Sequence, residues 1–209
     1  MHAVGIGCYP GRQMELLAVT SLKQFFKSLL NEALDQTGVD VAEVTELYLA
    51  DLLAEFAATD RLFTPDQDGR PGEEPLALLY HRALAAEREQ RIRMLRRLGD
   101  VSLYKAGFFA GAVRESMVGQ SYYIQMGGTA YGQVAALARG GFAFVYDELG
   151  RKFRPLVEVL EGIAARATAR SSAGGALRVY ESWRRTGNEA LEPVLVDAGL
   201  LPRKKGLPN

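Results

Sequence analysis

Apolar and polar positions alternate with a helical period along nearly the whole chain. From Met14 to Thr37, Leu22, Phe25, Phe26, Leu29, Leu30, Ala33 and Leu34 recur at three- and four-residue steps, and Gly38 stands where a C-terminal cap belongs. Asp40 with Glu43 three residues on resembles a capping box, which predicts a second helix over Val41–Ala58. Residues 59–74 carry Pro65, Gly69, Pro71 and Gly72 with little periodicity and read as a long loop. Pro75 suits a first helical turn, and Gly99 is the expected stop for a third helix ending at Leu98.

Asp100 is placed to cap a helix over Val101–Val113, with a turn at Arg114–Gly119. Helices are then predicted over Gln120–Ala138, Phe142–Gly150, Pro155–Ala169, Ala176–Thr186 and Pro193–Ala198. In the 155–169 segment, Leu156, Val159, Leu160 and Ile163 form the inward face. No stretch alternates with period two for long enough to make a sheet. The expectation is an all-α, single-domain bundle of about 6–8 helices over residues 14–199, with a hinge at 171–175 and tails at 1–13 and 200–209. The first helical pattern begins at Met14, which serves as a start as well as Met1 does.

Small residues are concentrated in the middle of the chain. Gly107 and Gly111, then Gly128, Gly132 and Ala136, recur every four residues, a spacing that lets another helix approach closely. An interior glycine costs about 0.5–1 kcal/mol relative to alanine, so packing or a ligand must compensate. Five of the nine tyrosines fall between Tyr104 and Tyr146, and a buried phenol needs a hydrogen-bond partner. Asp100, Lys105, Tyr123, Gln125 and Tyr131 are therefore candidates to fix a small molecule inside this core; the plainer reading is a network that locks helices together.

Charge is distributed by helix. Eight acidic residues and no lysine or arginine lie between Ser28 and Asp60, whereas Arg82 to Arg97 carries a net charge of +4. On a helical wheel Arg82, Arg93, Arg96 and Arg97 point outward, toward a partner or a second copy of the chain. Arg88 and Arg91 fall on the apolar arc, and a buried guanidinium must be paired, so Asp51 or Glu55 on the acidic helix is the expected counter-ion.

Lysine plus arginine balances aspartate plus glutamate at 25 each, which supplies no global field for nucleic acid. The apolar runs are shorter than a membrane span needs, and the N-terminus lacks the basic region of a signal peptide. A single cysteine, Cys8, fits a reducing cytoplasm. With only His2 and His81, and no Glu-x-x-His motif, neither a di-iron centre nor a multi-histidine metal site is expected, and no cofactor is called for. No Gly-x-Ser-x-Gly and no phosphate loop is present; GGTAYG at 127–132 lacks both the strand and the lysine. The leading expectation is a non-catalytic, self-associating or partner-binding helical protein, with a ligand pocket in residues 98–141 as the alternative.

Overall fold

The computed structural model describes residues 10–58, 74–171 and 174–200, with side chains over 22–57, 74–170 and 174–200. The described residues form ten α-helices: α1 (Pro10–Thr37), α2 (Glu43–Ala58), α3 (Leu76–Ala85), α4 (Arg88–Phe108), α5 (Ala110–Glu115), α6 (Gly119–Leu137), α7 (Phe142–Arg151), α8 (Phe153–Ser171), α9 (Gly175–Thr186) and α10 (Glu192–Asp197). A 3₁₀ turn, Glu189–Leu191, links α9 to α10. The all-α bundle is as expected, with ten helices among the described residues where about 6–8 were expected. The loop expected near 59–74 lies outside the described residues except for Glu74, as do 172–173 of the expected hinge. Helix α1 starts at Pro10, so residues 10–13 belong to it.

The largest departure is at the third helix, which the sequence reads as one rod over Pro75–Leu98. It is broken at Ala86, whose backbone is extended. Arg91 closes the break: its Nε donates to the Ala83 carbonyl at 3.2 Å and its Nη2 donates to those of Leu84 and Ala86 at 2.8 and 3.1 Å. One guanidinium thus satisfies carbonyls that the end of α3 leaves open. The chain then re-enters helix and runs through Gly99 and Asp100 to Phe108, so neither residue acts as the predicted stop or cap. Gly99 is glycine because the Tyr131 ring lies against it: a Cβ there would sit 2.5 Å from Cε1.

Helix α4 is the axis of the bundle and packs against α3, α6 and α8. Its second half is buried on all sides, from Val101 through Tyr104 and again at Ala106 and Gly107, so it shows no amphipathic stripe. Helix α2 packs on α1 and touches α7 and α4. Its N-terminus is not closed by the Asp40–Glu43 box: the Ala42 N–H and the Thr45 hydroxyl donate to Glu148 Oε2 on α7 at 3.1 and 2.6 Å. Lys152 bridges Glu148 and the Asp40 carbonyl. Burial opposes ionisation of Glu148, but the bonds from Thr45, Lys152 and Ala42 prevail and hold its carboxyl below the usual range.

The predicted ion pair between the acidic helix and Arg88 or Arg91 does not form. Arg91 is committed to the end of α3, and Arg88 donates to the Leu137 carbonyl. Asp51 pairs with Lys23 of α1 at 2.8 Å. Glu55 is exposed on α2 and raises the Asp100 carboxyl through its charge. A main core gathers α1 through α4 and α6 through α8. A smaller second core, built from Ala165, Val179, Trp183, Leu191, Val194 and Leu195, holds α9 and α10 on the far face of α8.

Candidate ligand cleft and its polar supports

Helix α4 ends at Phe108, and Phe109 turns the chain into the short α5. That turn carries Arg114 onto α8, where its Nη1 and Nη2 donate to Glu161 Oε1 and Oε2 at 2.8 and 2.6 Å. Glu161 is buried and Arg114 mostly so, at 8% and 13% side-chain exposure. Each remaining polar group is matched. Arg114 Nε donates to Gln120 Oε1, and Gln120 Nε2 donates to the Ala106 carbonyl. Ser182 of α9 donates to Glu161 Oε1 at 3.1 Å, and Asn188 Nδ2 donates to Oε2 at 3.2 Å. A two-armed, fully satisfied pair of this kind is specific in geometry, and removing one member leaves a buried charge uncompensated.

A cleft of about 480 Å³ opens beside this pair, between the α4–α5 corner, α8 and α9. Its apolar surface comes from Phe108, Ala110, Ala164, Ala165, Val179 and Leu191, with Gly107 and Gly111 on one wall. Glu115, Arg178, Glu181 and Arg185 stand around it. The volume is within the range of small-molecule sites, which are mostly apolar with a few placed polar groups. On the other side of Arg114, a second cavity of about 100 Å³ is lined by Arg154, Glu158, Thr186 and Asn188. Glu161 lines both spaces, and Arg114 lines the smaller one.

The proposed pocket in the glycine- and tyrosine-rich core is divided by the structure. Asp100 and Tyr131 do meet: the Tyr131 hydroxyl donates to Asp100 Oδ1 at 2.7 Å. The same oxygen accepts from Tyr48 of α2 at 2.6 Å, and Arg96 Nε lies 4.0 Å from Oδ2. Burial raises the Asp100 carboxyl to about 6 against the opposing phenol bonds and the Arg96 charge. Burial and the Asp100 charge push both phenols, Tyr48 and Tyr131, well above their usual range. Lys105 and Tyr123 form a separate contact, with Nζ 5.7 Å from the ring centroid, and Gln125 is exposed. Asp100 lines neither cavity. Its role is to tie α2, α4 and α6 together.

The small residues sort the same way. Gly107 is a contact position: a Cβ there would lie 2.5 Å from Leu160 Cβ. Gly111 has open space and lines the cleft. At Gly128 a Cβ would make only ordinary contacts at 3.6 Å, and at Gly132 none within 4 Å; Ala136 is exposed. The tight position is the neighbour, Gly127, where a Cβ would come within 2.1 Å of Phe153 Cζ. Gly132 contributes through its backbone, since its nitrogen lies 3.2 Å from where a Gly150 Cβ would stand.

The four outward arginines do not make one uncommitted face. Arg82 bonds Glu74 at 2.6 Å, Arg93 lies 4.0 Å from Glu89, Arg96 leans toward Asp100, and Arg97 is half-buried. Sequence reasoning missed Arg114, Glu161 and the cleft. Glu161 is off the Leu156–Ile163 face, on a second face of α8 shared with Ala164, Ala165 and Thr168 that is too weakly apolar to register as buried. Among the described residues, no group of three or more His, Cys, Asp or Glu side chains is placed to hold a metal ion. None of their helices is long and apolar enough to cross a membrane. No protein-family model, curated protein or solved structure matches this chain.

Proposed function

We propose that this protein is a non-catalytic binding protein whose ligand seat is the cleft between α5, α8 and α9. The observation that carries the reading is a roughly 480 Å³ space left open beside a fully hydrogen-bonded buried ion pair, in a molecule whose main core is packed so closely that several glycines admit no Cβ. Filled cores and open clefts differ in cost, because unfilled apolar surface forfeits dispersion contacts that a ligand restores. Gly111→Leu tests the reading, since a Cβ there has open space around it and Gly111 lines the cleft. In native mass spectrometry of the full chain purified from its own source, the wild type should carry a small-molecule adduct and the Gly111→Leu variant should lack it. Identical adduct-free spectra from both, after gentle desalting, would remove the reading.

A second reading is favoured by one surface. Val44 and Leu47 of α2 are 44% exposed each, beside the exposed acids Glu43 and Asp51. An apolar pair with an acidic rim suits a basic, apolar helix of a partner, including a second copy of the chain presenting Arg82 or Arg93. Light scattering separates the cases: a dimer that dissociates in Leu47→Lys and in Arg93→Glu/Arg97→Glu supports self-association, and a wild-type monomer at high concentration removes it.

A further inference from the structure

The charges around the cleft narrow what it takes, and this inference rests on the cleft being the ligand seat. Glu161 is already engaged by Arg114, Ser182 and Asn188 through both carboxylate oxygens. On α9, Glu181 stands three residues after Arg178 and four before Arg185, spacings at which opposite charges on a helix neutralise each other. Glu115 on the opposite wall completes the set. Glu161 is neutralised by Arg114, which stands outside the cleft lining, and the two arginines and two glutamates that remain on the lining balance, so the cleft offers no surplus of either sign. A charged ligand would lose its hydration without gaining a matching counter-ion.

Behind this rim the lining is mostly apolar, from Phe108, Ala110, Ala164, Val179 and Leu191, with Thr168 and Ser182 as neutral hydrogen-bonding groups. From this geometry we infer that the ligand is an uncharged, largely apolar molecule of drug-like size. It seats its body against α4–α5 and α8 and presents its hydrogen-bonding groups to the rim of α9. Phe108 continues a stacked row with Tyr104 and Phe56, with ring centroids 5.0 and 4.7 Å apart, which holds that wall rigid.

The test uses the full chain and N-phenyl-1-naphthylamine, an uncharged dye that fluoresces on entering an apolar site, with decanol, decanoate and decylammonium as matched competitors. Dye fluorescence should rise on binding. Gly111→Leu and Ala164→Leu, on opposite walls, should each weaken binding by about tenfold or more while the melting temperature stays near that of the wild type. Decanol should displace the dye at concentrations at least about threefold lower than either ion. A dye that does not bind, or binds equally well to both plugged variants, overturns the cleft itself. A dye that both substitutions weaken but that an ion displaces best overturns only the assignment of an uncharged ligand.

Discussion

At the scale of single residues, Asp100 sets the clearest pH dependence. Its folded-state carboxyl titrates at about 6 against an ordinary value of 3.8, because burial outweighs the two phenol bonds. The native state therefore holds its proton to higher pH than the unfolded chain does. The stability this proton provides is fully present below about pH 4 and is lost as pH rises through about 6, an effect of about 3 kcal/mol by linkage. Denaturant titrations at pH 4.5 and 7 should show Asp100→Asn with less of this decline than the wild type. Glu148 acts in the opposite sense. Its carboxyl is held low, so its contribution is present at neutral pH and is lost as pH falls through its depressed value. The Asn variant should therefore expose an acid-side loss that Glu148→Gln reduces. Asp100 was legible as a polar residue needing tyrosine partners, but its partner Tyr48 lies 52 positions away, and no local pattern announces a contact of that separation.

At the scale of elements, the helix–helix contacts rest on particular glycines. Gly127→Ala places a methyl group within 2.1 Å of Phe153 and should cost about 1–3 kcal/mol through overpacking. Gly132→Ala meets nothing within 4 Å and should be neutral or stabilise by up to about 1 kcal/mol through helix propensity. Paired thermal melts would check the difference, and equal losses would show that both face a partner helix. The four-residue spacing picked out Gly128 and Gly132, where the α6 backbone lies close to Gly150 of α7, but it did not single out Gly127. Periodicity locates a face to within a residue or so, whereas a ring such as Phe153 selects one position. The break at Ala86 was equally invisible, because no proline or glycine marks it and the Arg91 bonds that close it run backward along the chain. The C-terminal ends of α6 and α9 follow the expectation because Gly140 and Gly187, both at positive φ, mark turns that favour glycine.

At the scale of the molecule, α8 contributes to both cores, and the Arg114–Glu161 pair ties α5 and, through Ser182 and Asn188, the end of α9 to it. Arg114→Ala leaves the Glu161 carboxylate buried without its cation and should cost about 3–5 kcal/mol. Trp183 is the only tryptophan and lies in the second core, so its fluorescence reports α9 and α10, while far-ultraviolet dichroism reports the whole bundle. In the wild type the two signals should change together on heating. In Arg114→Ala the fluorescence transition should come first, and coincident transitions at an unchanged temperature would show that the pair does not tie α9 to α8. The sequence revealed the helical class through its apolar period and missed this junction, whose buried face on α8 consists of alanines and a glutamate.

The open space at that junction is most directly probed by hydrogen–deuterium exchange of the full chain with and without saturating N-phenyl-1-naphthylamine. Slower exchange confined to Ala110–Glu115, the Glu161–Thr168 turns of α8 and Arg178–Arg185 of α9 is the predicted result. Protection centred instead on α2 or the Asp100 cluster, or no protection at all with dye bound, would contradict it.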